Sequence, residues 1–98
     1  MNNALLAQEL KNKLTITWDD LDIETKILSI IDDAKAVLDF KLGIDFDYSL
    51  PGIEHSLFLN YCMYAYNNCL NEFDNNYLSE LLLIRNKHAV RRILNEKK

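Results

Sequence analysis

The chain has few of the residues that interrupt helices, with two glycines and one proline among 98 residues. Sheet-rich folds need many tight turns, which draw on glycine and proline, so this scarcity favours long helices. An apolar share of 49% and a charged share of 27% are ordinary for a globular protein and argue against disorder. We therefore expect a single all-α domain over residues 1–98, with a body at about 3–84 and a basic helical segment at 85–98.

Residues that bind metals or act as nucleophiles are also scarce. The two histidines and two cysteines form no Cys-x-x-Cys or His-x-x-x-His pair. The chain has no Gly-x-Ser-x-Gly turn and no glycine-rich phosphate loop. An acidic run at residues 19–24 lacks the glycine and the final glutamate of a calcium loop, so helix capping explains it better. We expect no catalytic, cofactor or metal site, and a protein that is not an enzyme.

Two further absences indicate the cellular compartment in which the protein is made. The chain does not begin with a charged segment followed by an apolar run, and its longest apolar run is too short to span a bilayer. Cys62 and Cys69, if both lie on one helix, are about 10 Å apart along its axis, which exceeds disulfide reach. They are interpreted as small buried thiols in a reducing compartment. These features predict synthesis in the cytoplasm and no membrane partner.

The most apolar stretch of the chain is Leu57–Tyr66, in which nine of the ten residues are apolar or aromatic and Asn60 is the exception. It shows no alternation of period two, so it predicts a helix that is covered on several sides. We expect this central helix to run from about Ile53 to Phe73. The three tyrosines at 61, 64 and 66 have no lysine or arginine between them, which favours core packing over a base-stacking platform.

The other elements follow from capping residues and apolar periodicity. The predicted set is a helix from Asn2 or Asn3 to about Leu14, a long helix from about Asp20 to Leu42 ended by Gly43, an extended connector at Ile44–Tyr48 packed onto the helices, a polar turn at Asp74–Asn76, and a last helix from about Tyr77 to Asn95. In that last helix, the first half is expected to be buried by Leu78, Leu81, Leu82, Leu83 and Ile84. Its second half has a thinner apolar stripe and is expected to project.

Charge is distributed unevenly along the chain. Residues 51–84 contain no lysine or arginine, whereas residues 85–98 contain six and a single acid. The candidate partner-binding residues are these six: Arg85, Lys87, Arg91, Arg92, Lys97 and Lys98. Three interpretations of this basic tail stay open, namely a solvated helix end, a helix that docks on an acidic protein surface, and a contact for DNA phosphates.

An ordered set of short segments resembles the head–tail connector proteins of long-tailed phages and prophages, also called adaptor or head-completion proteins. The segments are Leu10–Leu14, Ile16–Asp20, Ile30–Leu38, Gly43–Asp47, Asn60–Cys62, Tyr66–Asn68, Glu72–Phe73 and Asn75–Leu81. They span about residues 5–85. No single segment is diagnostic, because the specificity comes from their order, and no family residue is carried over to the positions from Arg85 onward.

The resemblance implies an oligomeric structural subunit of the virion neck. Such subunits assemble into a ring, typically twelve-fold, that docks below the portal protein and extends the DNA channel toward the next neck (stopper) protein. They are often monomeric until the portal templates them, and a C-terminal segment grips the portal. The acidic residues of the helical domain suit a passing contact with genomic DNA, because DNA of the same charge would slide along the subunit without binding tightly. No small-molecule substrate is expected. The alternative is a small helical DNA-binding or regulatory module that uses the basic C-terminal helix.

Overall fold

The computed structural model of the protein describes residues 2–18 and 20–96 and consists of four helices. These are α1 (Asn3–Lys13), α2 (Leu21–Leu42), α3 (Ile53–Tyr66) and α4 (Leu70–Glu96). The described residues include no strand, and Ile44–Tyr48 forms an irregular connector between α2 and α3. The predicted all-α fold of four helices is confirmed.

The first two helices begin where their capping residues predict. The Asn2 side chain accepts a hydrogen bond from the backbone N–H of Leu5 at 3.0 Å. The Asp20 side chain accepts from the N–H groups of Asp22 and Ile23, at 2.8 and 3.3 Å. Each cap satisfies backbone donors that the first helical turn leaves free. In the acidic run, Asp20 is therefore a helix cap, while Asp19 lies outside the described residues.

The first three helices end in the same way. At each end one residue adopts the left-handed backbone conformation, and two backbone hydrogen bonds close the last turn. These residues are Thr15 (φ 58°), Gly43 (φ 68°) and Asn68 (φ 58°). In each case the left-handed N–H bonds the carbonyl three residues back, and the next N–H bonds the carbonyl five residues back. This Schellman arrangement stops a helix without leaving its last carbonyls unpaired. Glycine adopts the conformation freely, asparagine tolerates it, and a β-branched threonine is strained.

The Thr15→Gly substitution is therefore expected to stabilise the protein by about 1 kcal/mol, because glycine relieves the left-handed strain at the end of α1. For a domain of this size, that gain corresponds to a rise in Tm of about 4–8 °C. The matched control is Gly43→Ala, where a Cβ would meet no atom within 4 Å and only the backbone conformation is penalised. It should lower Tm by a similar amount in the same thermal melts. Equal melts for the two variants would show that the φ angles are not the determinant.

The boundary between α3 and α4 differs from the prediction. The central helix ends at Tyr66 instead of Phe73, and the last helix begins at Leu70 instead of Tyr77. The break is made by Asn67 and Asn68: the Asn67 amide donates to the carbonyl of Met63 at 3.0 Å, and Asn68 takes the left-handed conformation. The predicted turn at Asp74–Asn76 was wrong, since these residues lie on the exposed side of α4.

The same shift places the two cysteines on different elements. Cys62 is buried in α3, whereas Cys69 lies half-buried in the short connection before α4, so the predicted spacing along one helix does not apply. Both are free thiols. Burial raises the pKa of the Cys62 thiol to about 12, which disfavours the reactive thiolate.

The centre of the molecule is the pair α2 and α3. Each contacts all the other helices, whereas α1 and α4 lie on opposite sides of the pair and share no contact among the described residues. The most deeply buried side chains come from every helix and from the connector: Leu6, Leu10, Ile27, Ile31, Ala34, Leu38, Tyr48, Leu57, Phe58, Cys62 and Ile84. The interpretation of α3 as a central helix is confirmed, and α2 shares that position.

The connector after α2 is fixed by one polar network. The ammonium of Lys35 lies 2.6 Å from Asp39, 2.8 Å from Asp45 and 3.2 Å from the carbonyl of Phe46. The hydroxyl of Tyr48 donates to Asp39 at 2.8 Å, and burial together with this bond raises the tyrosine pKa. The Tyr48 ring stacks on a core phenylalanine of α3 at 4.8 Å. The predicted packing of this connector onto the helices is confirmed.

The long helix α4 gives the molecule its elongated shape. Its 27 residues span about 40 Å at 1.5 Å per residue. The principal extents are 50 × 27 × 18 Å and the radius of gyration is 14.4 Å, above the roughly 13 Å of a compact chain of this size. Every described side chain from Val90 to Asn95 is exposed. The end of α4 therefore projects from the bundle.

Candidate partner-docking site

The basic residues predicted to bind a partner do not form one cluster. Arg85, Arg91 and Arg92 are exposed on α4, whereas the ammonium of Lys87 pairs with the carboxylate of Glu54. Lys97 and Lys98 lie outside the described residues. The candidate cationic surface is thus reduced to three arginines among the residues that the structure describes.

Glu54, at the start of α3, is the buried acid that holds Lys87. Only 4% of its surface is exposed, and the Nε2 atom of His88 lies 3.1 Å from its Oε1 atom. Burial alone would raise the pKa of this carboxyl, but hydrogen bonds from Lys87, from its own backbone and from His88 outweigh burial and lower the pKa. We call these three residues the Glu54 cluster. It attaches α4 to the body just before the helix projects.

The second histidine serves a different contact. Nδ1 of His55 lies 2.6 Å from the backbone oxygen of Tyr48, and Nε2 lies 2.5 Å from a carboxylate oxygen of Glu9 on α1. Both ring nitrogens lie within hydrogen-bond distance of an oxygen atom, so the ring links α1 to the start of α3. Each histidine therefore pairs with its own glutamate, and no group of three or more potential metal ligands occurs in the part of the chain that the structure describes.

The side of α4 that faces away from the bundle is apolar. We call it the outer stripe, and its members are Leu82, Leu83, Val90, Ile93 and Leu94, each about half exposed or more. The expectation that Leu78, Leu82 and Leu83 are buried was wrong, because only Leu81 and Ile84 of that run reach the core. Sequence reasoning missed this face, since four successive apolar residues at positions 81–84 do not reveal which of them point inward.

The spacing within the outer stripe has the form of a helix-pairing seam. Leu83, Asn86, Val90 and Ile93 follow one another at intervals of three, four and three residues. Such intervals place side chains along one face of a helix, where they can form the contact line with a second helix. Asn86 is the one polar residue in this row.

Two open grooves flank α4. The first, which we call the connector groove, has a volume of about 590 Å³ and is lined by Gly43, Ile44, Asp45, Phe46, His88, Arg91, Arg92 and Asn95. The second, about 560 Å³, lies between α2 and α4 and contains Arg85 together with Phe40, which is 88% exposed. The lining of the connector groove includes the half-buried apolar residues Ile44 and Phe46 and the exposed residues Arg91 and Arg92.

The opposite end of α2 has the reverse chemistry. Trp18 is 56% exposed and Leu21 is 81% exposed, and the side chains of Asp20 and Asp22 beside them are also exposed. We call these four residues the Trp18 end. Large apolar side chains that are exposed side by side are typical of a surface that another molecule covers.

No family model matches the chain, and neither the curated proteins nor the solved structures include a match to it. None of the described helices is both long enough and apolar enough to cross a membrane.

Proposed function

We propose that the protein is a structural subunit of a phage neck, a head–tail connector that forms a ring below the portal protein and extends the DNA channel. The observation that carries this proposal is the outer stripe: a rigid helix leaves the bundle and presents an apolar seam that its own chain does not cover. In the proposal, α4 docks on the portal through this stripe, and the bundle forms the ring wall.

Charge and chemistry support a structural role. Residues 1–84 carry 14 acids and five bases, which suits the lining of a channel through which DNA passes. The titratable groups of the Glu54 cluster and of the Lys35 network are engaged in ion pairs and hydrogen bonds that hold the fold. We accordingly propose no reaction, and we assign the virion neck as the location and the portal and the next neck protein as partners.

The test is to mix the purified chain with its cognate portal protein and to examine the mixture by electron microscopy and size-exclusion chromatography. A ring on the portal is expected. The variant Val90→Gln/Ile93→Gln should bind at least about tenfold more weakly, because apolar residues at the centre of an interface contribute most of its affinity. Leu5→Gln on α1, where Leu5 is 44% exposed, is the matched control and should bind like the wild type.

Two results would contradict the proposal. The absence of any ring or portal complex across protein concentrations would exclude the connector function. Unchanged portal binding by Val90→Gln/Ile93→Gln would leave the connector function standing but exclude the outer stripe as the docking face.

The second candidate function is a DNA-binding module, which the exposed guanidinium groups of Arg85, Arg91 and Arg92 favour. It requires that the free chain bind duplex DNA with an affinity that falls steeply with salt, and that Arg91→Glu/Arg92→Glu weaken this binding. Salt-independent or undetectable binding would reject it.

A further inference from the structure

We infer that copies of this chain associate head to tail, with the Trp18 end of one copy seated in the connector groove of the next. This inference deepens the proposed ring assembly and rests on it, because it names the two surfaces through which neighbouring subunits would meet. It concerns the contact between copies and leaves the outer stripe free for the portal.

The first argument is chemical complementarity. The lining of the connector groove combines the apolar side chains of Ile44 and Phe46 with Arg91 and Arg92. The Trp18 end offers a large aromatic ring and a leucine beside two aspartates. Guanidinium groups stack on indole rings and form bidentate pairs with carboxylates, so both kinds of group at the Trp18 end find a partner.

The second argument is that the groove is not already neutralised by its own chain. Its one acid, Asp45, is bound to Lys35 at 2.8 Å, and that pair lowers the pKa of Asp45. His88 is turned toward Glu54 at 3.1 Å. Among the side chains that the structure describes, neither Arg91 nor Arg92 belongs to a salt bridge. Both guanidinium groups line the groove, where they can meet incoming carboxylates.

The third argument is geometric. The Trp18 end precedes α2, and Gly43 and Ile44 of the groove follow it, so the 22 residues of the helix separate them by about 33 Å. One chain cannot bring its own two surfaces together across that distance. Each copy instead offers one surface to the copy before it and the other to the copy after it. A contact between two different patches of the same protein closes into a ring when the rotation between copies permits.

The groove also has a suitable size. Its volume of about 590 Å³ lies within the roughly 300–1,000 Å³ typical of pockets that enclose a ligand of drug size. An indole and a leucine side chain fit such a volume. Burial of these two side chains would supply the apolar centre of the interface, with the charged pairs at its rim.

The lone tryptophan of the chain reports directly on this contact. In the wild-type protein, raising the concentration toward the solubility limit should shift Trp18 emission to shorter wavelength and protect it from acrylamide. Added salt should weaken the association, because charged pairs at the rim contribute to it. Sedimentation or light scattering on the same samples gives the mass of the assembly.

Two double variants test the two surfaces separately. Arg91→Glu/Arg92→Glu removes the groove's charge and keeps the Trp18 end; Leu21→Ser/Asp22→Arg alters the Trp18 end and keeps the groove. Each alone should associate at least about tenfold more weakly than the wild type. Mixed in equal amounts, they should form a heterodimer through the one native pair of surfaces. Asp33→Arg, an exposed charge reversal in the middle of α2, is the control and should associate like the wild type.

Wild-type protein that stays monomeric at all concentrations overturns the inference, as does self-association that both double variants retain. Failure of the mixed variants to recover association overturns it too. These measurements use the chain alone, without the portal protein. Leu21→Ser/Asp22→Arg retains the outer stripe and should still bind the portal, so portal binding without self-association rejects this inference alone. Self-association without portal binding rejects the connector function alone.

Discussion

Replacing Tyr61 with aspartate (Tyr61→Asp) is expected to destabilise the protein by at least about 4 kcal/mol, because it places an unpaired charge in the core. Tyr61 lies on α3 and is buried, with its ring 5.0 Å from that of Phe73 on α4 in an edge-to-face arrangement. An aspartate there would be buried, with Asp33 and Asp74 as nearby charges of the same sign, and it would also forfeit the aromatic contact. Urea or thermal unfolding followed by circular dichroism measures the loss of stability.

Two further substitutions calibrate this result. Phe40→Asp changes an aromatic residue that is 88% exposed and should alter the free energy of unfolding by no more than about 0.5 kcal/mol. Met63→Asp, at a half-buried position of α3, should fall between the two. If Tyr61→Asp and Phe40→Asp had equal effects, α3 could not be a central helix of the core.

The elements that the sequence predicts correctly are those whose ends carry chemically distinct residues. Asp20 supplies a carboxylate that can reach the N–H groups of the next turn, and Gly43 supplies a residue without strain at φ 68°. Between them, Ile27, Ile31 and Leu38 follow the helical period and are all fully buried. Local sequence defines α2 because capping and periodicity agree there.

The boundary between α3 and α4 could not be predicted in the same way. Asparagine occurs both at Asn67–Asn68, where it ends a helix, and at Asn75–Asn76, where it lies within one. What separates the two cases is tertiary. The amide of Asn76 donates to the hydroxyl of Tyr64 at 3.0 Å, and Asp74 binds Lys41 of α2 at 3.0 Å, so the polar residues within α4 tie it to its neighbours. No local pattern reveals such contacts.

From the sequence, the candidate site could be predicted only as a region rich in basic residues. The excess of basic residues after residue 84 identifies the end of α4, but their roles depend on how the helix is placed. Lys87 turns inward to Glu54, while Arg91 and Arg92 line the connector groove. Glu54 itself resembles an ordinary acidic residue in the first turn of a helix. Its pairing with a residue 33 positions later is a property of the fold.

The Lys87→Met substitution is expected to cost about 2–3 kcal/mol at pH 7, because it leaves the Glu54 carboxylate buried with His88 as its remaining side-chain partner. Removing one member of a buried ion pair costs about 3–5 kcal/mol, and the figure is reduced here because the Lys87 side chain is one-third exposed. Methionine is about as long as the apolar part of the lysine side chain, so the loss of stability measures the effect of removing the ammonium charge. Chemical denaturation at several pH values measures it.

The pH dependence gives the sharper test. In the wild type the pKa of Glu54 is lowered from its ordinary 4.5, so the carboxylate's contribution to stability is present above that value and is lost as pH falls through the lowered pKa. Removing Lys87 takes away a hydrogen bond and a charge that lower this pKa, so the pKa should be higher in the variant than in the wild type. Acidification should then protonate the destabilised carboxylate of the variant first and relieve it. The difference in stability between wild type and Lys87→Met should therefore shrink as the pH falls from 7 to about 4.

Adding Glu54→Gln to Lys87→Met should recover part of the stability at pH 7, since a neutral amide keeps hydrogen-bonding capacity and carries no buried charge. It should also remove the pH dependence of the difference. A deficit that stays constant from pH 7 to about 4 would mean that Lys87 acts through packing alone. In that case the Glu54 cluster would not be what attaches α4 to the body, and the direction in which the projecting helix presents its outer stripe would depend on the apolar contacts of Leu81 and Ile84 instead.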